Sequence, residues 1–285
     1  MAATLLAVGD ELTKGQEFAA ALEPMGYHLT PLAEPDSLGK ALEGGLPELV
    51  VLASDIAQTG AQVLLRELKL SEHFNRIGVL LVRPRGLAES RPDDVWIEPD
   101  ICVEAPPRIE GLLEPVRQLR ERVAQRAREG VRFALCVRMP SDLMLLRRIE
   151  DLLHVALKPA NASARLVWAL MQSTREMGLN AIEWGNKGEQ DRFVYFALTL
   201  YADRFCVTVR DEGGGFNPKH VPHAANPANP LGHIALRENS GMRVGGYGIL
   251  ICRELMDEVR YNEKGNEVTL LKYLKDDSSC DSCQS

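Results

Sequence analysis

The sequence predicts an α/β protein of two domains with different kinds of sheet. Its 285 residues exceed the about 250 at which a single hydrophobic core stops growing. Up to Pro107, short apolar runs alternate with helix-like stretches, the mark of an open, mostly parallel sheet. From Val131, two long helical patterns are followed by alternating strands and a glycine-turned hairpin, which predicts an α/β sandwich whose sheet is mixed and largely antiparallel. The expected divisions are a first domain over 1–107, a connecting helix over 108–130, a second domain over 131–275 and a disordered tail over 276–285.

In the first domain the strands are TLLAV, HLTPLA, ELVVLA, IGVLLV and ICVE, separated by a helix ending at Met25 and by SLGKALEG and AQVLLRELK. Pro106 and Pro107 precede RIEGLLEPVRQLRERVAQRAREG, where Leu112, Leu113, Val116, Leu119 and Val123 recur at helical spacing among dense charges. That helix reads either as the hinge between domains or as a solvated terminal helix of the first, and its apolar repeat is too short to demand a coiled-coil partner. In VRFALCVR, residues Val131, Phe133, Leu135 and Val137 share one strand face. Ser141 is the expected cap of DLMLLRRIEDLLHVAL, Pro159 its stop, and Ser163 the cap of a helix running to about Gly185. FVYFALTLY and FCVTVR read as strands, and YGILICRELMDEV as a helix before the hairpin VRYNEKGNEVTLLKYL.

An apolar fraction of 45% and a charged fraction of 26% are those of an ordinary globular protein. No run reaches the ~20 apolar residues of a membrane span, and the start MAATLLAVGDELTKG lacks a basic n-region and a cleavage site. A cytoplasmic location without a membrane partner is therefore expected. The net charge of −7 excludes general affinity for nucleic-acid backbones, which requires an excess of Lys and Arg. Cys102, Cys136, Cys206 and Cys252 sit singly in apolar runs and read as small core hydrophobes. Cys280 and Cys283 supply half of a four-ligand zinc site in a polar tail and read as neither a metal nor a redox site.

Chemistry concentrates in the second half. Glu176 and Asn180 lie one helical turn apart, with Met177, Ala181 and Trp184 available for the adjacent apolar stripe. An amide oxygen is a neutral hard ligand for Mg²⁺, and a neighbouring carboxylate can take the proton of an attacking hydroxyl. VRDEGGGFNP follows a strand, so Asp211 can accept a hydrogen bond from an exocyclic amine while Gly213, Gly214 and Gly215 let backbone approach a flat ring. In VGGYGILICREL, residues Gly245, Gly246 and Gly248 lead into a helix whose first-turn N–H groups and dipole favour phosphate.

These three stretches, REMGLNAIEWGNKG, VRDEGGGFNP and GGYGILICRELMDEVRYNEKGNEVTLLKYL, resemble in order the N, G1 and G2 boxes of the GHKL ATPases, above all those of anti-sigma-factor serine/threonine kinases. The resemblance spans roughly residues 131–275 and implies a Bergerat-type ATP-binding fold with ATP and Mg²⁺ as cofactors. It places Mg²⁺ at Asn180, the catalytic base at Glu176 and the adenine-amine reader at Asp211 with Gly213 and Gly215 beside it. It places the phosphates at Gly245, Gly246 and Gly248, with Arg243 toward the γ-phosphate. The stretch PKHVPHAANPANPLGHIALRENSGM resembles the family's ATP lid, and its His220, His223 and His233 read as exposed loop residues rather than a metal site. Sensor histidine kinases share the boxes, but the six histidines lack their phosphoacceptor context, and His154 reads as a core residue.

The first domain resembles a flavodoxin-like response-regulator receiver without its chemistry. Gly9 and Asp10 stand where receivers carry an acidic pair, Ala53 where they carry the phosphoacceptor, and Leu81 and Ala105 where they carry the switch hydroxyl and the lysine; Asp55 falls two positions late. The resemblances together imply a partner-switching serine/threonine kinase acting on an anti-sigma antagonist, with a sigma factor and a second copy of the chain as further candidate partners. The alternative is a non-catalytic ATP-binding adaptor.

Overall fold

A computed structural model describes residues 3–9, 16–32, 38–53, 56, 58–85, 94–105, 108–216 and 246–274. Arg243, Gly245, Asp10, Asp55, the lid histidines and the tail cysteines lie outside the described residues. Contacts divide the chain into two compact units, Met1–Ser90 with Ile97–Cys136 and Arg91–Trp96 with Val137–Ser285.

The first unit carries β1 (Ala3–Val8), α1 (Gln16–Leu22), β2 (Tyr27–Leu32), α2 (Leu38–Glu43), β3 (Leu49–Leu52), α3 (Gln58–Leu70), β4 (Gly78–Arg83), β6 (Ile101–Glu104) and α4 (Leu113–Arg128), and the unit boundary falls within β5 (Trp96–Glu98). The apolar runs form a five-stranded parallel sheet of order β2-β1-β3-β4-β6, with β5 excluded from it. Counted along that sheet alone, the order is 2-1-3-4-5, that of the flavodoxin and CheY folds. Leu5, Ala7, Leu49, Val51, Leu80 and Val82 meet Phe18 and Leu22 of α1 and Val116 and Leu119 of α4 in one buried cluster. The helix expected as a connector over 108–130 is thus part of this core: a side chain at Gly78 would meet Val123 of α4 at 2.7 Å. Its charges gave the look of a linker because a helix on a sheet buries a single stripe and leaves the rest solvated.

A buried ion cluster joins α3, α4 and the turn before β6. Lys69 Nζ lies 2.6 Å from Asp100 Oδ2, with side chains 2% and 5% exposed, and also donates to Ile77 O at 2.8 Å. Asp100 further accepts from Val79 N at 2.7 Å and pairs with Arg126. Burial opposes ionisation of the Asp100 carboxyl, but the charges of Lys69 and Arg126 with the Val79 N–H outweigh it and hold the group below its usual range.

The second unit is built on a six-stranded sheet of order β10-β11-β9-β8-β7-β5. Its strands are β7 (Phe133–Pro140), β8 (Phe193–Leu200), β9 (Arg204–Asp211), β10 (Glu258–Tyr261) and β11 (Glu267–Tyr273), and its helices α5 (Leu146–Leu157), α6 (Ala164–Asn180) and α7 (Gly248–Leu255). The β8–β9, β9–β11 and β10–β11 pairs are antiparallel. Strict alternation along β8 and β9 buries Val194, Phe196, Leu198, Leu200, Phe205, Val207 and Val209 on one face.

Four local expectations are corrected. Asp142, not Ser141, caps the turn before α5 by accepting from Met144 N at 2.9 Å, whereas the Ser141 hydroxyl faces Arg192 O and Asn186. His154 is exposed because the buried stripe of α5 runs through Ile149, Leu152, Leu153 and Ala156. Of the four thiols read as core, Cys252 is buried, Cys206 is half-buried, and Cys102 and Cys136 are exposed. Trp184 is 43% exposed, outside the stripe that Met177 and Ala181 occupy, because a wider π turn over Ala181–Gly185 rotates it away. Ser163 caps α6 as expected, accepting from Leu166 N at 3.3 Å.

Removing Asp100 strands the buried Lys69 ammonium without a counter-ion. Asp100→Ala is expected to lower unfolding free energy by about 3–5 kcal/mol, read by urea denaturation at pH 7. With Asp100 intact, the carboxylate's contribution is present above the ordinary carboxyl pKa and is lost as pH falls toward its depressed folded value.

Candidate functional site

The site is assembled by α6, the end of β9, the start of α7 and the turn of the β10–β11 hairpin. Glu176 is half-buried on α6, and Asn180 is the last residue of that helix before the π turn. A side-chain carbon built on Gly248 would lie 2.6 Å from Glu176 Oε2, so the carboxylate rests against the first residue of α7. One turn further, Cys252 Sγ lies 3.5 Å from Ser173 O. Gly248 thus faces Glu176 while Cys252 faces Ser173, and the two helices run past each other in opposite directions. Burial pushes the Cys252 thiol up to about 12, so it fills space rather than reacts.

Among the described residues no side chain caps the start of α7. Tyr247, the residue before it, provides no side-chain cap, and Gly246 has φ +95°. The first-turn N–H groups therefore need partners from outside the helix. Gly248 is brought beside Glu176, with Gly246 two residues before it; Gly245 and Arg243 lie outside the described residues.

Asp211 ends β9 with 9% exposure. Its Oδ1 accepts from Gly213 N at 2.8 Å, and burial pushes its carboxyl above the usual range, opposed by that N–H and by Lys264. The carboxylate fits only because Gly185, the last residue of the π turn, has no side chain: a carbon there would overlap it. Gly213 in turn lies against Gly185 O, and Gly215, at φ +79°, against Lys264 O. Gly265 of the hairpin turn, at φ +77°, lies against Phe216 O. The Phe216–Tyr261 edge-to-face pair, with ring centroids 5.4 Å apart, adds apolar surface nearby, Tyr261 OH lying 3.5 Å from the Sδ of the buried Met177.

These facts fit an adenine nucleotide: a buried acceptor backed by glycine, an apolar floor, and an uncapped helix end. Among the described residues no cluster of three or more His, Cys, Asp or Glu could hold a metal. Sequence reasoning missed Gly185, Asn186 and Asn266, which shape Asp211's surroundings; they stand in the GNKG after the helix and the GN of the hairpin turn, where nothing sets them apart from ordinary turn residues.

Two substitutions read this geometry. Asp211→Asn must set an NH₂ group against either Gly213 N–H or the adenine amine. It is expected to weaken ATP binding about ten- to a hundred-fold by calorimetry. Because the native carboxyl holds its proton more tightly folded than unfolded, folding loses stability as pH rises through the carboxyl range, and Asp211→Asn should raise the melting temperature at pH 7. Among the described residues, the close contact of Gly248→Ala is with the flexible end of Glu176, so the melting temperature should hold. The turned carboxylate should cost about a hundred-fold in any phosphoryl transfer it serves.

Residues 139–272 match the family model described as the histidine kinase-like ATPase domain. The serine-protein kinase RsbW of Listeria monocytogenes is 30% identical over 98 residues, covering 34% of this chain and 59% of that protein. The serine-protein kinase RsbW of Staphylococcus epidermidis is 24% identical over 141 residues, 49% of this chain and 86% of that protein. Among solved structures, a receiver domain of a Syntrophus aciditrophicus signal transduction histidine kinase is 21% identical, covering 43% of this chain and 92% of that one at a TM-score of 0.33. The chemotaxis response regulator CheY4 of Vibrio cholerae is 13% identical, covering 42% and 99% at 0.34. The strand order, not these scores, carries the likeness of the first unit. The second unit of the chain is a histidine kinase-like ATPase domain, joined to a first unit that is receiver-like.

Proposed function

We propose that the chain is an ATP-dependent serine/threonine protein kinase that regulates by partner switching, phosphorylating a hydroxyl of an antagonist protein. The observation that carries this reading is the position of Glu176 against Gly248. A carboxylate there would serve as general base beside the amides that would receive the phosphates. The similarity to kinases named RsbW supports the same class of substrate.

In this reading Asp211 accepts the adenine amine, and the N–H groups from Gly246 and Gly248 onward, with Gly245 and Arg243, meet the phosphate oxygens. Asn180 would hold Mg²⁺, which when bound neutralises charge between the phosphates. Glu176 takes the proton of the partner's serine or threonine hydroxyl; its oxygen bonds to the γ-phosphorus as the bond to the β-phosphate oxygen breaks, and ADP leaves. Gly213 and Gly215 let the backbone lie close to the base.

The natural place for such a kinase is the cytoplasm, and no helix among the described residues is long and apolar enough to cross a membrane. Its partners would be the antagonist, a sigma factor and a second copy of the chain. Ala53, where a receiver would be phosphorylated, is 1% exposed, and the first unit would serve docking or positioning rather than phosphoryl acceptance.

With labelled ATP and candidate antagonist proteins, Glu176→Gln should lower transfer by about 10²–10⁴-fold while leaving ATP affinity nearly unchanged. Wild-type protein that binds ATP tightly yet transfers phosphate to none of the candidates would remove the kinase reading and leave an ATP-binding adaptor.

A further inference from the structure

We propose, on the nucleotide-binding reading above, that Asn186 and Asn266 are positioning residues that set the Asp211 carboxylate for the adenine amine by gripping the Asp211–Glu212 peptide from both sides. The peptide carbonyl of Asp211 accepts from Asn266 Nδ2 at 2.9 Å, and the N–H of Glu212 donates to Asn186 Oδ1 at 2.9 Å. The remaining main-chain N–H of Asp211 donates to Asn266 O at 3.0 Å.

Neither carboxamide is free to swing. Asn186 is 0% exposed and spends Nδ2 on Ser141 Oγ and Phe193 O, each at 2.8 Å. Ser141 Oγ is itself fixed on Arg192 O at 3.0 Å. Asn266 Oδ1 accepts from Asn262 Nδ2 at 3.0 Å, and Asn262 Oδ1 accepts from the N–H groups of Gly265 and Asn266 at 2.7 and 3.1 Å. The peptide is thereby referred to three elements: the turn after α6, the start of β8 and the β10–β11 turn. The Asp211 side chain follows that peptide, because its Oδ1 is tied to Gly213 N two residues on. With both N–H groups and the oxygen of the Asn186 carboxamide committed to protein, and Asn266 Nδ2 and Oδ1 each engaged by protein, the two asparagines act through Asp211 rather than on the ligand.

The test measures binding of ATP and of purine riboside triphosphate, which lacks the exocyclic amine, to the full chain by calorimetry. Asn186→Ala and Asn266→Ala are each expected to weaken ATP about ten-fold and the amine-free nucleotide by less than about two-fold. Each effect should vanish when Asp211→Ala is already present, the coupling expected of residues in one network. Equal weakening of both nucleotides, or an undiminished effect beside Asp211→Ala, would show a role in folding alone and overturn the inference. Wild-type protein that binds the two nucleotides alike overturns the Asp211 reading itself and this inference with it. If Asn186→Ala does not fold, Asn266→Ala at the hairpin turn decides the question by the same comparison.

Discussion

A carboxylate at the end of a buried strand has little water to hold it, so protein must fix its direction and accept the cost of its charge. Asp211 meets both demands with neutral groups: one main-chain N–H on Oδ1, glycines where side chains would collide, and a peptide held by two carboxamides. None of these brings a full positive charge against the carboxylate, and burial prevails over the Gly213 N–H and the charge of Lys264, raising its pKa. The rest of the second unit follows from this constraint. The π turn ends on Gly185 where the carboxylate needs room, and the hairpin turn takes positive φ at Gly265 where Phe216 O needs it.

The first unit handles a buried carboxylate in the opposite way. Asp100 is surrounded by Lys69, Arg126 and the Val79 N–H, and its pKa falls. A charge satisfied so fully joins elements and leaves little for a ligand. A charge held in place but incompletely satisfied has an acceptor to offer, and that difference separates the structural carboxylate from the one assigned to recognition.

Most of the fold was legible because it rests on periodicity. The parallel strands are continuous apolar runs such as ELVVLA, and the antiparallel ones alternate, as in FVYFALTLY. Failures came where one residue's local partner decides. Nothing in SDLML distinguishes Ser141 from Asp142 as a cap until Arg192 O and Asn186 claim the serine. Trp96–Glu98 is too short a strand to show a pattern. NAIEWG has the composition of an α-helix, and only Asn186 N reaching back to Ala181 O widens the turn. In the site, the spacing of Glu176 and Asn180 and the glycines around Asp211 could be read from chemistry. Asn186 and Asn266 could not, because a lone loop asparagine is ordinary until a peptide is found between two of them.

With both asparagines already bound to it, the peptide around Asp211 is organised before any nucleotide arrives. Residue-resolved amide hydrogen exchange of the full chain, with and without ATP and Mg²⁺, tests this directly. The amides of Asp211 and Glu212 should exchange as slowly as those of Val207 and Val209 on β9 in the free protein, and nucleotide should change them little. Fast exchange at both positions in the free protein, slowed only when ATP is added, would mean that the ligand builds the grip and would contradict the account.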